Sequence, residues 1–284
     1  MKILVIASVL IITASISAQS RFVTTIYPFK LIIQEIVGKT EGVEEILPPG
    51  ASPHTYELRP SELKVIEKAT AFFYGGANLD GWAARINTAH RIELLNILPK
   101  KNQLALQNFT GSKEVSGIDP HFWTDPLTVK ALLPVLVDTL CRIDPINSAD
   151  YRKNSLQFST QLDNLTQLIK ESLAGIQNKG VLLAHPFFQY YLKRFGFDLI
   201  GTIETIPGSE PTPRELKGII DLAKQQHLKV ILTQPQISDR PAQLIAEATG
   251  AKIVQLDPIG GVPGRETYDE LLLYNTTMLL ESTQ

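Results

Sequence analysis

Short apolar runs alternate with amphipathic stretches twice along this chain, and one long polar helical pattern separates the two series. Parallel strands cannot be joined by a tight hairpin and need a crossover, which a helix supplies. Alternation of this kind therefore points to α/β units with largely parallel sheets. In the first series FVTTI (22–26) reads as a strand, and YPFKLIIQEIVG switches to helical spacing that ends at Gly38. EEILPPG is a second apolar run, stopped by Pro48, Pro49 and Gly50. SELKVIEKA reads as a helix capped by Ser61, TAFFYGG as a strand, and LDGWAARINTA as another short helix. Residues 103–117 are polar and read as loop, after which Asp125 at the cap and Pro126 at the first position open a helix reaching about Cys141.

The separating stretch runs from Ser148 to about Gln177, with Leu156, Phe158, Leu162, Leu165, Leu168, Ile169 and Leu173 at helical spacing. A helix of about 30 residues is about 45 Å long, enough to span a whole molecule. It stands alone mid-chain, so a rigid connection between two lobes is expected rather than a coiled-coil arm. Alternation then restarts with KGVLLAH, FFQYYLKRFG and FDLIGTI. Thr212, Pro213 and Glu215 form a strong helix start, KVILTQ follows as a strand, PAQLIAEATG as a helix stopped by Gly250, and KIVQLDP as a strand. A closing helix covers about 267–281. The expected organisation is an α/β lobe at 21–147, a connecting helix at 148–177, and a second α/β lobe at 178–284.

The first 20 residues stand outside that scheme. MKILVIASVLIITASISAQS has one Lys, an apolar run and small residues at its end, the layout of a cleavable secretory signal peptide. No Cys follows the run, so the exported protein is expected to be periplasmic and not lipidated. The 27 basic and 29 acidic side chains leave a net charge of -2, which argues against a nucleic-acid partner. The lone Cys141 excludes a disulfide, a CxxC pair and a thiolate-rich metal site. Any transition-metal site must then use imidazole and carboxylate.

Only five His are present, and three share one context. His54 lies beyond the run ending at Leu47, His121 between a loop and a capped helix, and His185 directly after VLLA; Asp257 follows IVQL. Ligands of open α/β sheets bind beyond the carboxyl ends of the strands, and these four residues fall there, two in each lobe. Each alone reads better as a packed loop His or a turn or cap Asp, and the conjunction adds a metal cleft between the lobes as an open reading that pattern alone does not decide. Three neutral imidazoles and a carboxylate give zinc four donors at about 2.0–2.2 Å. Glu57, Asp119 and Asp125 are candidates to orient the ring nitrogens that face away from the metal. His90 and His227 read as residues of helix ends. An enzyme lacks support: there is no HExxH, GxSxG, P-loop or dinucleotide fingerprint, and HTYEL supplies only HxxE. GGVPG (260–264) reads as a flexible loop.

PPGASPHTYELRPSE, DPHFWTDP, the His185 strand end and AEATGAKIVQLDP resemble the zinc- and manganese-binding receptors of bacterial ABC metal-uptake transporters, of cluster A-I type. The resemblance covers essentially the whole chain after residue 20. It implies two Rossmann-like α/β lobes joined by a long rigid backbone helix, with the metal in the interlobe cleft. It also implies a non-catalytic, monomeric receptor that delivers its metal to a cognate inner-membrane permease. The family's four ligand positions fall on His54, His121, His185 and Asp257. His at position 185 resembles the zinc-associated pattern, where manganese receptors tend to carry Glu, so Zn2+ is the expected ion and Mn2+ the alternative. An exported zinc metallohydrolase and an adhesin-like interaction protein are the readings from other classes. Two departures from the family stand out: 102–117 is short and has no His, and Gln234 stands where relatives often carry Glu.

Overall fold

The computed structural model describes residues 21–38, 42–77, 79–106, 117–177, 179–204 and 210–282. The leader-like residues 1–20 and most of the polar stretch at 103–117 lie outside the described residues. Strands β1 (Arg21–Thr24), β2 (Gly42–Glu45), β3 (Ala71–Tyr74) and β4 (Arg91–Glu93) form an all-parallel sheet in the order β2-β1-β3-β4. A second sheet repeats the plan with β5 (Gly180–Leu183), β6 (Asp198–Thr202), β7 (Val230–Thr233) and β8 (Lys252–Gln255) in the order β6-β5-β7-β8. The repeat that is invisible in sequence identity is thus present in topology.

In each sheet the connection direction reverses beside the first strand, which opens a crevice beyond the strand ends at that point. The four central strands β1, β3, β5 and β7 are buried on both faces and read as near-continuous apolar runs for that reason. Edge strand β4 escaped notice because it is three residues long and contributes only Ile92 to the core.

Helices follow the strands as the alternation requires: α1 (Tyr27–Val37), α2 (Pro60–Glu67), α3 (Leu94–Ile97), α4 (Pro126–Ile143), α5 (Ser148–Ser172), α6 (Gln189–Arg194), α7 (Pro213–Gln225), α8 (Arg240–Thr249) and α9 (Tyr268–Ser282). Asp125 caps α4, its carboxylate accepting the Leu127 N–H at 3.0 Å. Thr212 caps α7 with the reciprocal Glu215 contact. Gly250 ends α8 at φ 76°, the left-handed conformation that a side chain resists.

Two local expectations change. Ser61 lies inside α2 and not at its cap, because Pro60 takes the first helical position and Glu62 reaches back to the Arg59 N–H at 2.8 Å. Within 79–89 only Ala83–Arg85 form a turn of 3-10 helix, so His90 precedes β4 and does not end a helix.

Helix α5 is the long connection, 25 residues followed by a 3-10 turn at Leu173–Gly175. It buries Tyr151, Phe158, Leu162, Leu165 and Ile169 against α1, α4 and α9, while Leu156 and Leu168 of the same periodic set face solvent. Helix α9 returns from the second sheet to pack on α5 and α1. One hydrophobic core consequently runs from Phe22 and Phe29 through Trp123 and Leu162 to Phe188, Leu256 and Leu279. The lobes share packing and are not two independent globules. A core of this extent stabilises the chain without any bound ion. Among the described residues no helix is long and apolar enough to cross a membrane.

Candidate metal centre

His185 is two residues past the end of β5, at the reversal point of the second sheet. His54 sits in the loop that Pro48 and Pro49 force after β2, and His121 immediately precedes the 3-10 turn that leads into α4. These three side chains, distant in sequence, converge. Their ligating nitrogens all lie within 4.8 Å of one another. His54 Nε2 is 3.2 Å from His121 Nε2 and 3.2 Å from His185 Nε2. The rings meet edge to face, and Phe187 packs against all three at centroid distances of 5.6, 4.4 and 4.9 Å. Trp123 adds a wall beside His121. His121 and His185 are 1% and 2% exposed and His54 half-buried, so the cluster opens on the His54 side.

The His121 ring is set for one nitrogen to point inward. Asp119 Oδ1 accepts the His121 backbone N–H at 2.9 Å and lies 2.6 Å from His121 Nδ1. A carboxylate accepts, so the ring proton sits on Nδ1 and the Nε2 lone pair faces the other imidazoles. Asp119 itself is fully buried. The main chain of Glu204, two residues past β6, lies against His185.

Burial first, and then His121 and His54, hold the His185 pKa well below the ordinary imidazole range. It is therefore neutral, the form a metal requires. The unfolded chain protonates this residue below about pH 6.5 while the folded site resists. The unfolded state then binds more protons, so stability of the metal-free protein falls as pH drops below that value, by up to about 1.4 kcal/mol per pH unit. Urea unfolding at pH 7.5 and 5.5 should show this loss. His185→Gln should flatten it, and an equal slope in that variant would refute the assignment.

Of the residues expected to orient the rings, Asp119 alone does so directly. Glu57 is exposed, and Asp125 is committed elsewhere. Its carboxylate caps α4, accepts the Thr128 hydroxyl, and takes Arg194 Nε and Nη2 in a forked pair at 2.9, 3.1 and 2.8 Å, tying α6 to the first lobe. Nearby, the Tyr190 hydroxyl donates to the Asp119 carbonyl at 3.1 Å, so α6 also steadies the His121 loop.

Asp257 is not part of the three-His group. It lies two residues past β8 and is 6% exposed, with its main chain held in both directions by Asn275 of α9 at 2.7 Å. Its Oδ1 accepts the N–H groups of Ile259 and Gly260 at 2.9 and 3.0 Å, and its Oδ2 accepts Arg265 Nη1 at 3.0 Å. The GGVPG segment, expected as a loop, forms a hydrogen-bonded turn. Gly260, Gly261 and Gly264 adopt φ of 73°, 79° and 79°, and the Gly261 N–H bonds the Arg265 carbonyl. A Cβ on Gly261 would stand 3.2 Å from the Tyr27 ring of α1, so glycine is what lets this turn rest on the first lobe.

Sequence reasoning missed Glu204, Arg265 and Phe187. Glu204 carried a usable signal, since it follows its strand by the same two-residue offset as His185 and Asp257. Buried Gln234 directly follows β7, so every strand of the second sheet delivers a polar residue to this edge.

A bilobed α/β scaffold with an imidazole cluster between its sheets defines a metal-binding solute receptor. Residues 22–282 match the zinc-uptake complex component A periplasmic (ZnuA) family, and the chain belongs to it. It is thus a non-catalytic, extracytoplasmic divalent-metal-binding component of an ABC uptake system. The high-affinity zinc uptake system protein ZnuA of Bacillus subtilis is 25% identical over 264 residues, covering 89% of this chain and 82% of that protein. The manganese-binding lipoprotein MntA of Halalkalibacterium halodurans is 25% identical over 252 residues, covering 86% and 82%. Among solved structures, the laminin-binding protein Lmb of Streptococcus agalactiae, described as bifunctional with adhesin and metal-transporting activity, superposes with a TM-score of 0.79. It is 28% identical and covers 94% of this chain and 100% of that one.

Proposed function

We propose that the protein captures Zn2+ outside the cytoplasm through His54, His121 and His185, with Asp257 as fourth donor, and hands it to a cognate membrane permease. In this reading 1–20 is the export leader, 21–147 and 178–284 are the lobes, and 148–177 is the connection. The separation of the imidazole nitrogens carries it. Two donors about 2.05 Å from one tetrahedral ion stand about 3.3 Å apart; two of the three imidazole separations are 3.2 Å and the third lies within 4.8 Å. Three imidazoles also favour zinc over manganese, which prefers oxygen ligands and stands lowest in the divalent series.

The zinc uptake protein among the relatives supports the same ion, and the manganese-binding relative supports the second reading. Calorimetric titration of chelator-stripped protein decides between them. The expected result is one zinc per chain, with zinc displacing manganese at equal concentration. Absence of zinc binding, or manganese that zinc fails to displace, would overturn the proposal. The stripped protein should remain folded and melt at a lower temperature than the loaded one, because binding to the native state alone raises its stability.

A further inference from the structure

Among the described residues two carboxylate–arginine pairs lie near the site, and they differ in construction. Arg194 grips Asp125 with two nitrogens on both oxygens, a forked geometry that locks orientation. Arg265 touches Asp257 through Nη1 alone, at 3.0 Å on Oδ2, and its buried Nε has no hydrogen-bond partner among the described residues. The guanidinium has a second seat already in place, stacked 4.2 Å from the centre of the Tyr274 ring on α9. Cation–π contact of this kind keeps a largely buried guanidinium stabilised when its carboxylate is withdrawn. Asp257 meanwhile keeps two backbone N–H donors on Oδ1, so it stays anchored whichever cation its other oxygen faces. Arg265 also sits on a turn braced against the first lobe: Gly261 packs on Tyr27, whose hydroxyl donates to the Glu266 carbonyl at 3.0 Å.

We infer that Arg265 is an internal cation that competes with the incoming metal for Asp257 and thereby sets how readily the receptor lets its cargo go. This rests on the reading of Asp257 as fourth donor. In the clasped arrangement Arg265 holds the carboxylate at 3.0 Å. Metal binding draws Oδ2 toward the imidazole cluster, and the guanidinium is left on Tyr274. The returning guanidinium offers the carboxylate another positive partner, which lowers the cost of releasing the metal. Two effects point the same way: the clasp depletes the binding-competent carboxylate, and the nearby positive charge repels a dication. A receptor that must surrender its ion to a permease gains from both.

The test is competition against a zinc chelator with the full chain, together with stopped-flow zinc release. Arg265→Gln should bind zinc about tenfold more tightly than wild type and release it more slowly. Arg265→Lys, which keeps the charge, should stay within about threefold of wild type. In an Asp257→Asn background, Arg265→Gln should tighten zinc binding by much less than tenfold, since only the charge repulsion is left to remove. A structure of the zinc-loaded wild type, independent of whether any variant folds, should show the Asp257–Arg265 contact opened beyond 4 Å. Unchanged or weaker zinc binding by Arg265→Gln, or a contact still near 3 Å with zinc bound, would overturn the inference alone. Zinc binding undiminished in Asp257→Asn would overturn the fourth-donor assignment as well, and wild-type protein that binds no zinc would overturn the whole functional proposal.

Discussion

Replacing His121 by Ala is expected to weaken zinc binding by more than about 100-fold while the protein stays folded. Loss of a group that merely orients a metal ligand costs roughly 10–100-fold in affinity, so loss of the ligand itself must exceed that range. His121 is the best-fixed of the three imidazoles. It is 1% exposed, wedged against Phe187 and Trp123, and its outer nitrogen is 2.6 Å from a buried carboxylate. Without it the ion would keep two imidazoles and one carboxylate that Arg265 already occupies. The fold should tolerate the change because the shared core around Phe29, Trp123 and Leu162 does not depend on the imidazole. The backbone N–H of residue 121 also keeps its bond to Asp119. Chelator competition with a circular dichroism melt in parallel checks both halves. A fall in affinity under tenfold in a folded variant would exclude His121 as a ligand.

The elements that place His121 were legible because they are built from local rules. Asp125 and Pro126 announce the start of α4, Thr212, Pro213 and Glu215 that of α7, and Gly250 the end of α8; each signal operates within four residues. The three His could be singled out because scarcity and position beyond strands are properties of the string itself. What stayed hidden depends on contacts between distant segments. The sequence places Asp257 beyond β8 but says nothing of the Arg265 clasp, since nothing in QLDPIGGVPGR distinguishes a surface Arg from one turned back on its own strand end. The apolar period of α5 does not reveal that Leu156 and Leu168 face water, because which neighbours flank a helix is set by the fold. Nor does alternation of strand and helix disclose that α9 crosses back to merge the two lobes into one core. The segment 79–89 reads as a short helix, yet Asp80 fixes it otherwise. Its buried carboxylate accepts the N–H groups of Gly75 and Gly76 and the Thr25 hydroxyl, so propensity gives way to a tertiary hydrogen-bond network.

Asp119→Asn is expected to weaken zinc binding by about 10–100-fold, the second largest effect on the site. Asp119 is 0% exposed, and its remaining oxygen, Oδ2, has no hydrogen-bond partner among the described residues. A carboxylate oxygen buried without a partner is costly unless positive charge stands close by. In the proposed loaded state an ion on Nε2 of His121 would provide that charge through the ring, and the carboxylate would be better stabilised than in the stripped protein. The amide can still accept from Nδ1–H and hold the ring's direction, but it brings no negative charge to make the imidazole a stronger donor. Removing the charge therefore separates two roles. If Asp119 only aims the ring, Asn should bind zinc nearly as well as wild type. If its charge strengthens the metal bond, affinity should fall while the metal-free protein melts at the same temperature or higher, an unpartnered buried carboxylate oxygen having been removed. Chelator competition and metal-free melting curves on the one variant distinguish these outcomes. A metal-free melting temperature that falls together with affinity would instead mean that the carboxylate holds the His121 loop in place.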